Sequence, residues 1–175
     1  MVDSVHYWNK DNFQGLKDLS IALDAHLPLQ RLAEYCRYRE QGLRRQAFAA
    51  LDQFLAEAAG WKQSDARVTC LTILDLHRRT PAVHQFLTHP LLSRLLIPTL
   101  EAWIGDEPEA AVPLRWLGIL TGREDFVCRA LAVAPEDTIA RRYLVGHFSS
   151  YDGCVDKSWV IQLGDSGCGR SMWCV

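Results

Sequence analysis

The stretch Gly42-Leu43-Arg44-Arg45-Gln46-Ala47-Phe48-Ala49-Ala50-Leu51-Asp52-Gln53-Phe54-Leu55-Ala56-Glu57-Ala58 decides the fold class. Leu43, Ala47, Leu51, Phe54, Leu55 and Ala58 recur at three- and four-residue spacing, the period of one face of an α-helix, while Arg45, Gln46, Asp52 and Glu57 fall mostly elsewhere. Gly42 precedes the pattern and Gly60 ends it, as glycine does where a chain leaves helical geometry.

The same period extends to both sides. Toward the amino terminus, Asp11 or Asn12 caps a helix carrying Phe13, Leu16, Leu19 or Ser20, and Leu23, which His26-Leu27-Pro28 interrupts. Pro28 suits the first turn of a second helix, where a missing amide costs nothing, and Leu29, Leu32, Ala33 and Cys36 follow. Arg31, Glu34, Arg37 and Glu40 line its outer side.

Beyond Gly60, Ser64 or Asp65 caps a helix whose Val68, Cys70, Leu71, Ile73, Leu74 and Leu76 leave it apolar on most sides, so it must lie between neighbours. After a short stretch at Val83 to Leu87, Thr88 caps a helix with Pro90 in its first turn and Leu92, Leu95, Leu96, Leu100 and Trp103 on one face, kinked at Pro98. A turn at Gly105-Asp106-Glu107-Pro108 joins it to Ala110 through Leu120 as an αα-hairpin. Gly122 closes that helix, and Glu124 through Ala134 and Asp137 to about Phe148 complete the set.

The pattern predicts an all-α chain: residues 1–148 as a helical-repeat domain and residues 149–175, rich in Gly, Ser, Cys and Trp, as an irregular carboxy-terminal tail. In the tail, 158–163 has the composition of one short strand that needs a partner to pair with. Three segments share a small or acidic turn, a basic residue and dense aliphatic positions: Gly42 to Leu51, Asp65 to Leu74 and Ala110 to Leu120. They read as inner helices of a repeat.

Leu96-Ile97-Pro98-Thr99-Leu100-Glu101-Ala102-Trp103-Ile104-Gly105-Asp106-Glu107-Pro108, followed by Glu109 to Leu120, resembles a HEAT or armadillo unit, with a proline-kinked helix, a turn and a second apolar helix. It departs from that pattern at Pro113 and Arg115, where a valine-arginine pair is usual. Ala130 to Asp137 is similar to the end of a tetratricopeptide unit. Both resemblances imply stacked antiparallel hairpins forming a right-handed α-α superhelix, each burying its apolar face against the next.

Composition narrows the function classes. With 49% apolar and 23% charged residues the chain is expected to fold as a globular protein. Its 19 basic and 21 acidic side chains, net charge −2, give no general field toward nucleic acid or anionic lipid, so neither is expected as a partner. Met1-Val2-Asp3-Ser4-Val5-His6 has no signal-peptide character and no apolar run approaches a membrane span, so a cytoplasmic protein is expected.

No catalytic constellation stands out, and no cofactor is expected. Cys70, Asp75, His77, His84 and His89 are residue types that bind metals, but at no spacing known for ligands, and Cys70 and His77 read as packed core. Gly164-Asp165-Ser166-Gly167 matches the nucleophile segment of trypsin-like proteases without the barrels that chemistry needs. Cys154, Cys168 and Cys174 contain no Cys-x-x-Cys pair and read as free thiols.

The densest basic patch is Arg37, Arg39, Arg44 and Arg45, interleaved with Tyr35 and Tyr38, able to grip an acidic peptide or phosphate. Glu34, Glu40 and Gln41 fit an ordinary solvated face equally. The leading expectation is a protein–protein interaction module with Arg37, Arg39, Arg44 and Arg45 as its partner-binding residues. The alternative is a small Cys/His-dependent enzyme or metal-binding regulator. A homo-oligomer assembled through exposed Trp and Leu positions is the third possibility.

Overall fold

A computed structural model describes residues 10–81, 83 and 86–150, and the elements within them are all helical. The tail reading, including the strand at 158–163, lies outside the described residues.

Helix α1 spans Lys10–Asp24, and a 3-10 turn at Leu27–Leu29 leads into α2, Gln30–Glu40. Helices α3 (Arg44–Ala58) and α4 (Gln63–Arg79) follow. A continuous run then comprises α5 (His89–Leu91), a π-helical segment (Leu92–Leu96) and α6 (Ile97–Asp106). Helices α7 (Ala111–Thr121), α8 (Glu124–Val133) and α9 (Thr138–Ser150) complete the order.

Short connections make sequence neighbours into packing neighbours: α1 lies on α2, α2 on α3, α6 on α7, α7 on α8, and α8 on α9. Longer-range packing sets α4 on α1 and α6, the π segment on α3 and α4, and α9 on α7. The main core runs from Leu16 to Leu117, with Tyr35, Phe54 and Phe86 as its largest enclosed side chains. A smaller cluster of Val127, Ala140 and Leu144 joins α8 to α9, and Ile119 packs against both. Each enclosed Leu or Phe contributes about 1.5–3 kcal/mol relative to the same side chain in water.

Local details depart from the sequence reading for identifiable reasons. Pro98 has no amide to donate to the Arg94 carbonyl and its ring crowds that turn. The strain is taken up one turn earlier, where the Ile97 amide donates to the Leu92 carbonyl five residues back and the helix widens into the π segment. Helix α4 begins at Gln63 rather than at Ser64 or Asp65, with Lys62 as an extended N-cap that has no side-chain cap bond. Ser64 Oγ lies 3.2 Å from Asp65 Oδ1, and Gln63 Nε2 donates to Asp106 Oδ2 at 2.7 Å. Val68, expected in the apolar set of α4, is 67% exposed, because the packed side of α4 is that of Thr69, Cys70, Ile73 and Leu74.

Trp61 is half-buried, in edge-on contact with Phe54 with ring centroids 5.6 Å apart. Trp116 is buried, and Trp103 lies under the Arg67 guanidinium at 5.1 Å. These three tryptophans are thus committed to the fold.

Candidate partner-binding site

The α2–α3 connection is a glycine-closed helix end. Gly42 takes φ +74°, the Leu43 amide donates to the Tyr38 carbonyl at 2.8 Å and the Gly42 amide to the Arg39 carbonyl at 3.1 Å. Those two bonds satisfy the last carbonyls of α2 and reverse the chain within three residues. From Gln41 to Gln46 every residue is exposed. Leu43, assigned by periodicity to the core stripe of α3, instead precedes the helix at φ −82°, ψ 66° and is 38% exposed.

The four arginines expected to form one patch divide here. Arg37 turns to α1, where its Nη1 lies 3.5 Å from Asp24 Oδ1. Arg39 and Arg44 approach the Phe48 ring, with guanidinium carbons 6.0 and 5.8 Å from its centroid. Tyr35, fully buried, backs the same ring edge-on at 6.2 Å. Arg45 is exposed in the first turn of α3. Among the described residues neither Arg44 nor Arg45 has a carboxylate within ion-pair distance, and the first turn of α3 contains no acidic residue.

That charge arrangement runs against the helix. Basic Arg37 and Arg39 suit the partly negative carboxy end of α2, whereas Arg44 and Arg45 sit at the partly positive amino end of α3. Phe48 and Leu43 are the parts of this surface that sequence reading passes over. A Phe one residue after the core-facing Ala47 was the available signal for the former.

Elsewhere, several charges are matched across the fold. Arg67, only 18% exposed, pairs with Asp106 and with Glu107 at 2.9 Å, tying α4 to the end of α6. Arg94 reaches Asp52 at 2.7 Å, and Arg115 reaches Asp137 at 2.5 Å.

The Cys and His residues of the alternative reading are placed separately. Cys70 is fully buried in the main core, where burial pushes its thiol pKa up to about 12. Cys36 is likewise buried and its pKa is raised by the same cause. At neutral pH both are thiols rather than nucleophilic thiolates. His77 is half-buried with its ring centroid 5.9 Å from that of Phe86. His89 is exposed, and His84 lies outside the described residues. Among the described residues no three His, Cys, Asp or Glu side chains gather as a metal site.

Burial holds the His77 imidazole below its ordinary pKa of 6.5. The unfolded chain therefore binds this proton more readily than the folded one. The associated stability is complete above about 6.5 and declines as pH falls below it. Urea unfolding from pH 7 to pH 5 should show a loss of stability that is smaller in His77→Gln. Equal slopes in the two proteins would remove His77 as its source.

No helix among the described residues is long and apolar enough to cross a membrane. Comparison with protein-family models, with curated proteins and with solved structures returns no match.

Proposed function

We propose that this chain is a protein-binding adaptor whose α2–α3 turn contacts the partner. The observation that carries the reading is the exposed pair Arg44 and Arg45, without a carboxylate in ion-pair distance among the described residues, beside exposed Leu43 and the half-buried Phe48. An apolar centre with arginine around it is the composition that protein interfaces favour.

The scaffold we infer for it is an α-α superhelix of stacked antiparallel hairpins, of the HEAT or armadillo kind with a tetratricopeptide-like end. Support comes from hairpin partners in sequence and from second-neighbour packing of α3 with the π segment and of α7 with α9. A cytoplasmic location goes with this reading, supported by the free thiols of Cys36, Cys70 and Cys128.

Selection of a random linear peptide library on the immobilised full chain tests the function. Enrichment of a consensus peptide that perturbs the backbone amide resonances of residues 39–48 is the expected result. Failure to enrich any sequence, or perturbation confined to other surfaces, would overturn the reading.

A further inference from the structure

Two turns of this chain share one local design and differ in charge. Gly42 (φ +74°) and Gly122 (φ +69°) each close a helix in the left-handed region, and each precedes a helix bearing a Phe approached by two guanidiniums. At α3 these are Arg39 and Arg44 on Phe48; at α8 they are Arg123 and Arg129 on Phe126, at 4.2 and 5.5 Å.

The first two residues of α8, two and three after its glycine, are Glu124 and Asp125. Asp125 Oδ2 accepts Arg123 Nη2 at 2.9 Å, and that arginine holds the Asp125 carboxyl below its usual range. The acidic pair matches the positive helix end, as carboxylates there commonly do. The same two positions of α3 are Arg44 and Arg45. One turn therefore carries its own anions, and the other presents cations where those anions would stand.

We propose, on the basis of the protein-binding reading above, that the α2–α3 turn binds a linear peptide segment with adjacent acidic residues followed by an apolar side chain. Its carboxylates pair with Arg44 and Arg45, supplying the negative charge that Glu124 and Asp125 give α8, and its apolar residue covers Leu43. Guanidinium forks pair with carboxylates through two parallel hydrogen bonds, which favours the planar acid groups of Asp and Glu. The two cations of this site, Arg44 and Arg45, stand on a single helical turn of a chain whose net charge is −2, whereas nucleic-acid binding draws on cations spread along a phosphate track.

Because Arg44 and Arg45 oppose the dipole of α3, they serve binding at the expense of stability. Exchanging them for the α8 pair should separate the two. The full chain is titrated with a fluorescent peptide of sequence Asp-Glu-Asp-Glu-Leu-Phe and with its Asn-Gln counterpart, at low and at physiological salt. The expected result is binding of the acidic peptide at least tenfold tighter than of the amide peptide, weakening as salt rises. Arg44→Glu/Arg45→Asp should lose at least tenfold in affinity while its melting midpoint stays level or rises. Arg141→Glu/Arg142→Glu, the same charge change on α9, should stay within about twofold of the parent.

Equal affinity for the two peptides, undiminished binding by Arg44→Glu/Arg45→Asp, or tighter binding of a single-stranded oligonucleotide at this turn would overturn the proposal. If library selection instead yields neutral peptides that bind at residues 39–48, the adaptor reading stands and this inference falls. If no peptide of any kind binds there, both fall.

Discussion

Replacing Asp137 by alanine is expected to cost this protein about 3–5 kcal/mol of stability, the range for breaking a buried charge pair by removing one partner. Asp137 performs two tasks with its two oxygens. Oδ1 accepts the amides of Ile139 and Ala140, each at 3.0 Å, which caps the start of α9. Oδ2 accepts Arg115 Nη1 at 2.5 Å, with the two side chains only 7% and 13% exposed. The Arg115 guanidinium also lies 5.2 Å from the centre of the Trp116 ring, so it is enclosed on that side by an aromatic surface.

The alanine variant would leave the guanidinium without its anion in a place that water hardly reaches, and would uncap α9 as well. For a domain of this size the melting temperature should fall by roughly 10 °C. An Arg115→Met/Asp137→Asn double variant keeps a cap oxygen on the new amide side chain and removes both charges, so it should recover most of the loss. Asp52→Ala, which breaks the exposed pair to Arg94, is the control and should cost under about 1 kcal/mol. Denaturant midpoints of the parent and these three variants decide the matter. An Asp137→Ala effect no larger than that of Asp52→Ala would show that the enclosed pair contributes nothing special.

These two ion pairs also mark what a linear sequence conceals. Spacing alone recovers α3, because Ala47, Leu51, Phe54, Leu55 and Ala58 repeat within one helix and glycines bound it. It also recovers the hairpin of α6 and α7, whose turn at Gly105 to Pro108 is local chemistry. Asp52 with Arg94 and Asp137 with Arg115 come from different helices, and periodicity has no information on which helices meet.

The same limit explains Leu43 and Val68. Both satisfy a helical period, yet Leu43 precedes the first turn of α3 and Val68 lies on the exposed side of α4. At the candidate site the four arginines are legible as a cluster because they are close in sequence. Their division is not, since Arg37 meets Asp24 and Arg39 meets Phe48 only once α1, α2 and α3 are packed. The charge opposition at α3 becomes visible when the helix start is fixed at Arg44, and the matching start at Glu124 then gives it a meaning.

Gly118→Ala should destabilise the protein by about 1–3 kcal/mol, although alanine is the better helix former, because α7 and α8 meet where the side chain would be. A Cβ at 118 would lie 2.5 Å from Val127 Cγ2, 2.9 Å from the Arg123 carbonyl oxygen and 3.0 Å from the Val127 amide nitrogen. A valine methyl can rotate away. The two backbone atoms cannot, since the Arg123 amide is itself bonded to the Gly118 carbonyl at 3.0 Å and fixes the turn.

The helices must therefore separate, which opens the cluster of Val127, Ala140 and Leu144 and its link through Ile119 to the main core. Adding Val127→Ala removes one of the three close contacts and should restore stability in part only. Gly105→Ala is the opposite case, a helical glycine with nothing within 4 Å of its Cβ. It should gain roughly 0.5–1 kcal/mol from lower freedom of the unfolded chain. Thermal melts of the two single variants should move in opposite directions. If both rise, α7 and α8 are able to part without cost, and the backbone approach at Gly118 is not what holds that hairpin together.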